Sequence, residues 1–233
     1  MKLYKLTEQN NTTYHGSMTW QIGKTNKVKK CKNPQLCSGD VIHAYRNKNL
    51  ALILNPIHGD IKEPIIYECE GDIVVEDYGK CGVFKLTPIK KIKYPKWYVS
   101  DNKNKVLLQF AILCAESVID IFKKEYPDDD RPRKAIDATK EYLKNINNDD
   151  AAAYAADAAD AADAAYAADA AYAAGAAYTA GAAAARAAAY AAAYAADVAD
   201  AAARAADIFK KINFGKLADE AVKIIMKNNI TKE

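Results

Sequence analysis

The feature that most constrains this chain is a tract over residues 151–207, in which 38 of the 57 residues are Ala. Ala is the strongest helix former because it loses no side-chain entropy in a helix, and no Pro interrupts the tract. From Tyr154 to Tyr178 a non-Ala residue falls at every third position. A step of three is about 60° short of a full turn, so these side chains wind around a surface of methyl groups.

Such a smooth helix buries too little apolar area to be stable alone, so the tract predicts a helical bundle. Gly175 and Gly181 are the expected interruption, which gives two helices over about 151–174 and 182–212. Bulkier helices are expected on either side. Residues 105–122 place Leu, Phe and Ile at helical spacing, and Leu217–Met226 does so after a turn at Phe214–Gly215.

The distribution of charge divides the chain near residue 100. Residues 1–100 contain 16 Lys and Arg against 9 Asp and Glu, or +7, whereas residues 101–233 contain 17 against 21, or −4. We therefore predict a basic domain over residues 1–100 and an Ala-rich helical bundle over residues 105–230. The simplest explanation of the basic charge is a solvated surface, and nucleic acid is the less favoured explanation.

The first hundred residues alternate in the manner of strands, which makes the expected fold class α+β: a small β-rich N-terminal domain followed by an all-α helical bundle. A short helix is expected to end at the Asn55–Pro56 pair, since Pro disfavours helix before it. The predicted strands and helix are Lys2–Leu6, Val41–Tyr45, Asn47–Leu54 (helix), Ile65–Glu70, Ile73–Glu76 and Val83–Ile92, the last broken by Pro88.

The sequence shows neither a secretion signal nor an apolar run of membrane-spanning length. Five Cys residues cannot all pair with one another. Reduced thiols, a cytoplasmic location and no membrane partner are therefore expected. No cofactor is predicted. The Cys spacings lack any C-x-x-C pair, so no metal site is predicted either, although Cys31, Cys37, Cys69 and Cys81 with His43 and His58 would supply enough zinc ligands.

The sequence contains no recognisable catalytic motif, since it has no nucleophile elbow, no Walker loop and no dinucleotide-binding fingerprint. The most distinctive segments of the sequence contain His43, Tyr45 and His58, which could line a nucleotide pocket. Structural turns with a satisfied histidine are the favoured interpretation of these residues.

A charged cluster lies between two predicted helices. Asp130 is placed to cap the second of them, which runs through Ala135–Leu143, and Arg131 and Arg133 follow it. Three consecutive Asp residues at 128–130 could hold a cation. Helix capping combined with Asp–Arg pairing explains the same residues without a ligand and is favoured.

Two segments resemble known families. The run YPDDDRPRKAIDATKEYL (Tyr126–Leu143), followed by the Ala-rich region, resembles an immunity-protein family of Ala-rich helical domains, over about residues 105–230. Family members often carry His among the Ala, where this chain has Tyr and Asp, so no role of that His is carried over. Leu36–Ile61 is similar to an uncharacterised N-terminal domain of phage and bacterial proteins. The first resemblance implies binding and neutralisation of a toxin.

These observations favour a non-catalytic binding or assembly protein of phage or bacterial origin, of immunity or anti-defence type, acting through protein–protein contact. Its partner would be a protein, either a second copy or another chain. The alternative hypothesis is a nucleotide-binding, or degenerate nucleotide-processing, N-terminal domain with a structural helical tail.

Overall fold

The computed structural model describes residues 1–13, 16–77, 79–125, 127–128, 130–144 and 213–230. The chain forms two compact units, Met1–Pro95 (unit 1) and Lys96–Glu233 (unit 2). Within the described residues, all strands lie in unit 1 and the three longest helices lie in unit 2. The α+β class predicted from the sequence is therefore what the described residues show. The Ala-rich helices predicted around Gly175 and Gly181 lie outside these residues.

Unit 1 is built on an antiparallel sheet whose strand order is β1-β6-β7-β4, with β5 also paired to β7. A separate two-stranded sheet joins β2 to β3. One helix, α1, connects β5 to β6. The elements are β1 (Lys2–Thr7), β2 (Thr12–Thr13), β3 (Met18–Thr19), β4 (Asn26–Lys27), β5 (Ile42–Ala44), α1 (Lys48–His58), β6 (Ile65–Glu76) and β7 (Cys81–Ile92).

The main sheet closes on itself through the residue that follows β5. Tyr45 and Tyr4 exchange both backbone hydrogen bonds, at 2.8 and 2.9 Å. Strands β1, β6, β7 and β5 therefore form a continuous circuit, which leaves β1 without an open edge at this point. The side chains inside the circuit form the core of unit 1: Leu3, Trp20, Ile42, Ala44, Tyr67, Cys69, Cys81, Val83 and Leu86.

Two predicted breaks in the long strands are absent. The expected strands Ile65–Glu70 and Ile73–Glu76 are one strand, β6. At the expected break, an added Cβ on Gly71 would lie 2.7 Å from the Lys85 carbonyl oxygen. Gly71 thus permits a close approach of β7 and does not form a turn. Pro88 does not end β7, since it sits opposite Cys69 where the register shifts. A residue without an N–H is tolerated at such an irregularity.

The helix after β5 is also longer than predicted. Asn47 caps it, because its Oδ1 accepts the N–H groups of Asn49 at 2.8 Å and Leu50 at 3.0 Å. The helix passes through Pro56 and ends at His58. Pro56 removes one N–H, but the Asn55 carbonyl still accepts from Gly59 at 2.9 Å and from the next residue. The expected end at Leu54 is therefore wrong.

In unit 2 a short 3₁₀ turn at Lys96–Val99 leads into α2, which packs against both α3 and α4. Phe110 and Phe214 meet with ring centroids 6.3 Å apart. Glu116 of α2 pairs with Lys140 of α3 at 2.7 Å. The helices are α2 (Asn102–Glu125), α3 (Arg131–Lys144) and α4 (Phe214–Ile230).

The turn predicted at Phe214–Gly215 is the first turn of α4 instead. Asn213 begins this helix, because its Oδ1 accepts the Lys216 N–H at 3.0 Å and its carbonyl accepts the Leu217 N–H at 3.0 Å. Burial of Phe214 holds the start of the helix against α2. Among the helices of the described ranges, none combines the length and apolarity needed to cross a membrane.

Candidate functional site

Two of the residues singled out in the sequence come together where α1 ends. Tyr45 directly follows β5, and His58 is the last residue of α1. The helix therefore brings His58 back to the residue that follows β5. The Tyr45 hydroxyl lies 3.0 Å from His58 Nδ1. The two rings are stacked, with centroids 5.9 Å apart and an angle of 16° between their planes.

The third predicted residue, His43, lies on β5 and is half-buried. Its Nε2 accepts the backbone N–H of Cys37 at 3.0 Å. An accepting Nε2 requires the neutral imidazole with its proton on Nδ1. Burial, together with the nearby ammonium groups of Lys5 and Lys80, lowers the pKa of His43 to about 4. His43 is therefore uncharged at neutral pH.

His58 has a similar environment. Burial is the main cause that lowers its pKa to about 4, and the charges of Lys80 and His43 act in the same direction. The two imidazoles thus share Lys80 as a neighbouring cation. They offer neutral donors and acceptors beside a positive charge, which suits a polar or anionic ligand better than a cationic one.

Lys80 reaches this group from the turn between β6 and β7. The Asp77 carboxylate accepts the N–H of Gly79 at 2.8 Å and that of Lys80 at 2.7 Å, which fixes the turn. Lys80 Nζ then contacts Cys37 Sγ at 2.9 Å. We call His43, Tyr45, His58, Cys37 and Lys80 the His–Tyr cluster.

The sequence gives no signal that Lys80 belongs beside the histidines, because 43 residues separate it from its contact Cys37. Only the turn chemistry of Asp77 and Gly79 is visible locally. The pairing depends on the register of β5 on β7, in which His43 lies opposite Gly82. The pairing register of β5 on β7 cannot be predicted from the local sequence pattern of either strand.

Lys5 supports the cluster from inside the sheet. It is buried, its Nζ donates to the His43 carbonyl at 2.9 Å, and it lies 5.3 Å from the centre of the Trp20 ring. Burial lowers the pKa of Lys5 to about 8. An ammonium group in this position adds positive potential behind His43.

His43 is not oriented to act as a base for the Cys37 thiol. A histidine base would need a ring nitrogen facing Sγ, but His43 Nε2 accepts the Cys37 backbone N–H, and the group in contact with Sγ is Lys80 Nζ. The arrangement is a group of hydrogen-bonding side chains with an adjacent cation.

The zinc alternative receives no support from the described ranges, where no three His, Cys, Asp or Glu side chains are placed to hold a metal ion. The four cysteines of unit 1 fall into two groups. Cys31 and Cys37 are exposed, whereas Cys69 and Cys81 are buried. The Cys81 thiol donates to the Ala44 carbonyl at 3.3 Å, as a buried structural thiol does.

In the charged cluster before α3, Asp130 and Arg133 are the predicted residues whose contacts lie within the described part of the chain. Asp130 precedes α3, its carbonyl accepts the Lys134 N–H at 2.9 Å, and its carboxylate pairs with Lys134 Nζ at 2.9 Å. Arg133 lies 3.9 Å from Glu116 of α2, so its described partner is not the Asp run. The side chain of Arg131 lies outside the described residues.

Comparison with known proteins gives one match. Residues 98–229 match the family model described as "Imm-5 like putative immunity protein". The match covers 132 of the 233 residues and falls within unit 2. Neither a curated protein nor a solved structure matches the chain.

Proposed function

Because this chain belongs to the family described as Imm-5 like putative immunity proteins, we propose that it is a non-catalytic immunity protein that neutralises a toxin by direct protein–protein contact. The carrying observation is the family match over residues 98–229, which covers most of unit 2. A cytoplasmic site of action and a phage or bacterial origin, both predicted from the sequence, belong to the same proposal.

The arrangement of α2 and its neighbours supports a role for unit 2 as a rigid binding scaffold. Leu107, Phe110 and Cys114 of α2 are buried, as are Ala218 and Ala221 of α4. The outer side of α4 carries exposed Lys216, Lys223 and Lys227 beside acidic residues, which is a surface of mixed charge. Mixed charge allows specific complementarity to a partner without strong non-specific attraction.

Affinity capture of the full chain from its native host tests the proposal. We expect one protein to be recovered in a fixed ratio to the tagged chain, and co-expression should restore growth when that protein is toxic by itself. A Phe110→Asp variant is the negative control. The buried unpaired charge disrupts α2, so this variant should capture no partner. Equal capture by this variant, or the recovery of no stoichiometric partner, would contradict the proposal.

A second candidate function is favoured by the His–Tyr cluster, where His58, Tyr45 and Lys80 converge at the end of α1. Neutral imidazoles and a phenol can hydrogen-bond a base or sugar, and Lys80 can neutralise a phosphate. We propose this cluster as a nucleotide-binding site in unit 1 that performs no chemistry of its own.

Thermal-shift measurements with nucleoside mono-, di- and triphosphates test the second function. A nucleotide at about one hundred times its Kd should stabilise the protein by about 2.7 kcal/mol. Lys80→Gln should remove most of this effect, whereas Lys93→Gln, at an exposed lysine of unit 1 outside the cluster, should not. If no nucleotide stabilises the protein, or if both variants respond equally, the site is not a nucleotide site.

A further inference from the structure

A run of lysines on unit 1 takes no part in the His–Tyr cluster or in the part of the chain that matches the family. The sequence from Gln9 to Gly39 contains no Asp or Glu. Five lysines fall in this acid-free stretch, and one more lies beside it on β7. All six are exposed. We call them the lysine strip: Lys24, Lys27, Lys29, Lys30, Lys32 and Lys85.

The strip is anchored along β7 by backbone and side-chain contacts. The N–H of Gly23 donates to the Pro88 carbonyl at 2.8 Å, and that of Val28 donates to the Phe84 carbonyl at 3.0 Å. Between them, the hydroxyls of Thr25 and Thr87 lie 2.8 Å apart.

Val28 also packs against the core of unit 1. Lys27 is therefore presented by a strand paired to β7, so its backbone loses little entropy when a ligand binds.

The register brings two like charges face to face. Lys27 of β4 is directly opposite Lys85 of β7. Directly opposed like charges on neighbouring strands are destabilising, because their Cβ atoms lie only about 5 Å apart. None of the six lysines is paired with an acidic side chain among the described residues. Elsewhere on the same sheet, Lys2 and Lys90 share Glu68, at 2.7 and 3.4 Å.

The composition of the strip points to the chemistry of its partner. Protein–protein interfaces are enriched in Arg and aromatic residues and depleted in Lys. The strip has neither Arg nor an exposed aromatic side chain. Lys is a compact charge that binds phosphate without the directional fork that reads a base edge. Hydroxyls such as those of Thr25 and Thr87 are common additional phosphate contacts.

We propose that the lysine strip is a docking surface for the phosphodiester backbone of nucleic acid, which it binds without reading the base sequence. The bound phosphates supply the counter-charge that Lys27 and Lys85 lack. This inference is independent of the immunity function, which rests on unit 2, and of the nucleotide site, which excludes the strip.

Fluorescence anisotropy of the full chain with a labelled thymidine oligonucleotide and with a mixed-sequence duplex of equal length tests the proposal. If about four lysines neutralise phosphates, duplex affinity should fall roughly 100-fold between about 50 and 200 mM salt, with a logarithmic slope of about −3.6. Two duplexes of unrelated sequence should bind equally. Absence of binding at about 50 mM salt would overturn the proposal.

A Lys27→Gln/Lys29→Gln/Lys30→Gln variant should bind the duplex at least about tenfold more weakly and lower the steepness of the salt slope by about 2 to 3. The matched control is Lys123→Gln/Lys216→Gln/Lys227→Gln, which changes the net charge equally, from +3 to 0, at exposed lysines of α2 and α4. The control should bind as the parent does. Equal weakening in both variants would show that overall charge, rather than the strip, holds the nucleic acid.

Two further measurements distinguish this proposal from its competitors. Removal of Lys27 relieves its repulsion with Lys85, so the strip variant should unfold at the same urea concentration as the parent or higher. Lower stability would contradict the repulsion between Lys27 and Lys85 from which the proposal is argued. Polyglutamate and phosphatidylserine vesicles are the competing anions. If either binds the strip more tightly than DNA at equal charge, the partner is an acidic protein or a membrane and the proposal fails.

Discussion

At the scale of single residues, the five thiols occupy two kinds of environment. Cys31 and Cys37 are exposed, and the other three are buried. Burial raises the pKa of Cys69 and Cys81 to about 12 and also raises that of Cys114. Because the thiolate is the reactive form, burial and protonation both protect these three.

We therefore predict that a thiol reagent modifies two of the five cysteines quickly in the native protein near pH 8 and the remaining three only after unfolding. Timed alkylation followed by peptide mass spectrometry measures this order directly. A Cys31→Ser/Cys37→Ser variant should show no fast phase. Labelling of Cys69, Cys81 or Cys114 at the rate seen in urea would contradict the burial described here.

The two clustered histidines make the stability of unit 1 depend on pH. Their folded pKa values are lowered to about 4, whereas an unfolded histidine titrates near 6.5. Between these values the unfolded chain binds more protons, so stability is present above about pH 6.5 and is lost as the pH falls towards 4. Glu68 and Glu76, whose pKa values lie below the ordinary range, respond at still lower pH.

Urea unfolding should therefore show a loss of about 1 kcal/mol per histidine between about pH 7 and pH 5, a figure reduced for solvent screening because both side chains are half-buried. A His43→Gln/His58→Gln variant should have a flatter dependence over the same range. An equally steep dependence in the variant would assign the effect to other groups.

At the scale of elements, the long β6–β7 pair depends on a small residue near the turn that joins the two strands. An added Cβ at Gly82 would lie 2.6 Å from Val41 Cγ2 and 2.9 Å from Val75 Cγ1. Gly82 is also the residue opposite His43, so it fixes how closely β5 can approach β7.

We predict that Gly82→Ala destabilises the protein by about 1–3 kcal/mol, because neighbouring side chains must move away from the new methyl group. Gly39→Ala is the matched control, since nothing lies within 4 Å of its Cβ position. Urea denaturation of both variants checks the difference. Equal midpoints would mean that β5 is free to shift away from β7.

The elements also show where local rules fail. The periodic apolar residues of α2 and the start of α3 directly after Asp130 follow patterns readable in the sequence. Pro56 and Pro88 do not, because a rule about Pro considers only its immediate neighbours and not the surrounding hydrogen bonds. A helix that closes its last turn on the Asn55 carbonyl, or a strand with a register shift at Cys69, tolerates that loss.

At the scale of the whole molecule, unit 1 has the features of an independently folding domain. Its core residues and its strand circuit all belong to residues 1–95. Trp20 is buried and donates to Thr13 Oγ1 at 2.9 Å, which makes its fluorescence a reporter for this unit.

We predict that residues 1–95 expressed alone fold and unfold cooperatively, with a blue-shifted Trp20 emission that moves to the red in urea. The remaining residues, 96–233, expressed separately, provide the companion measurement through Trp97. An unfolded spectrum for the first fragment at neutral pH would show that unit 1 requires the rest of the chain.

The sequence alone predicted the β-rich N-terminal part and the amphipathic helices around the Ala tract. It also showed the resemblance to immunity proteins and singled out His43, Tyr45 and His58. Periods of two and 3.6, caps and composition are local, so they can be read along the chain. Only the tertiary structure decided that Lys80 and Cys37 join the histidines and that Lys27 opposes Lys85. Such contacts depend on strand register, and a slip of one residue would turn each side chain to the other face.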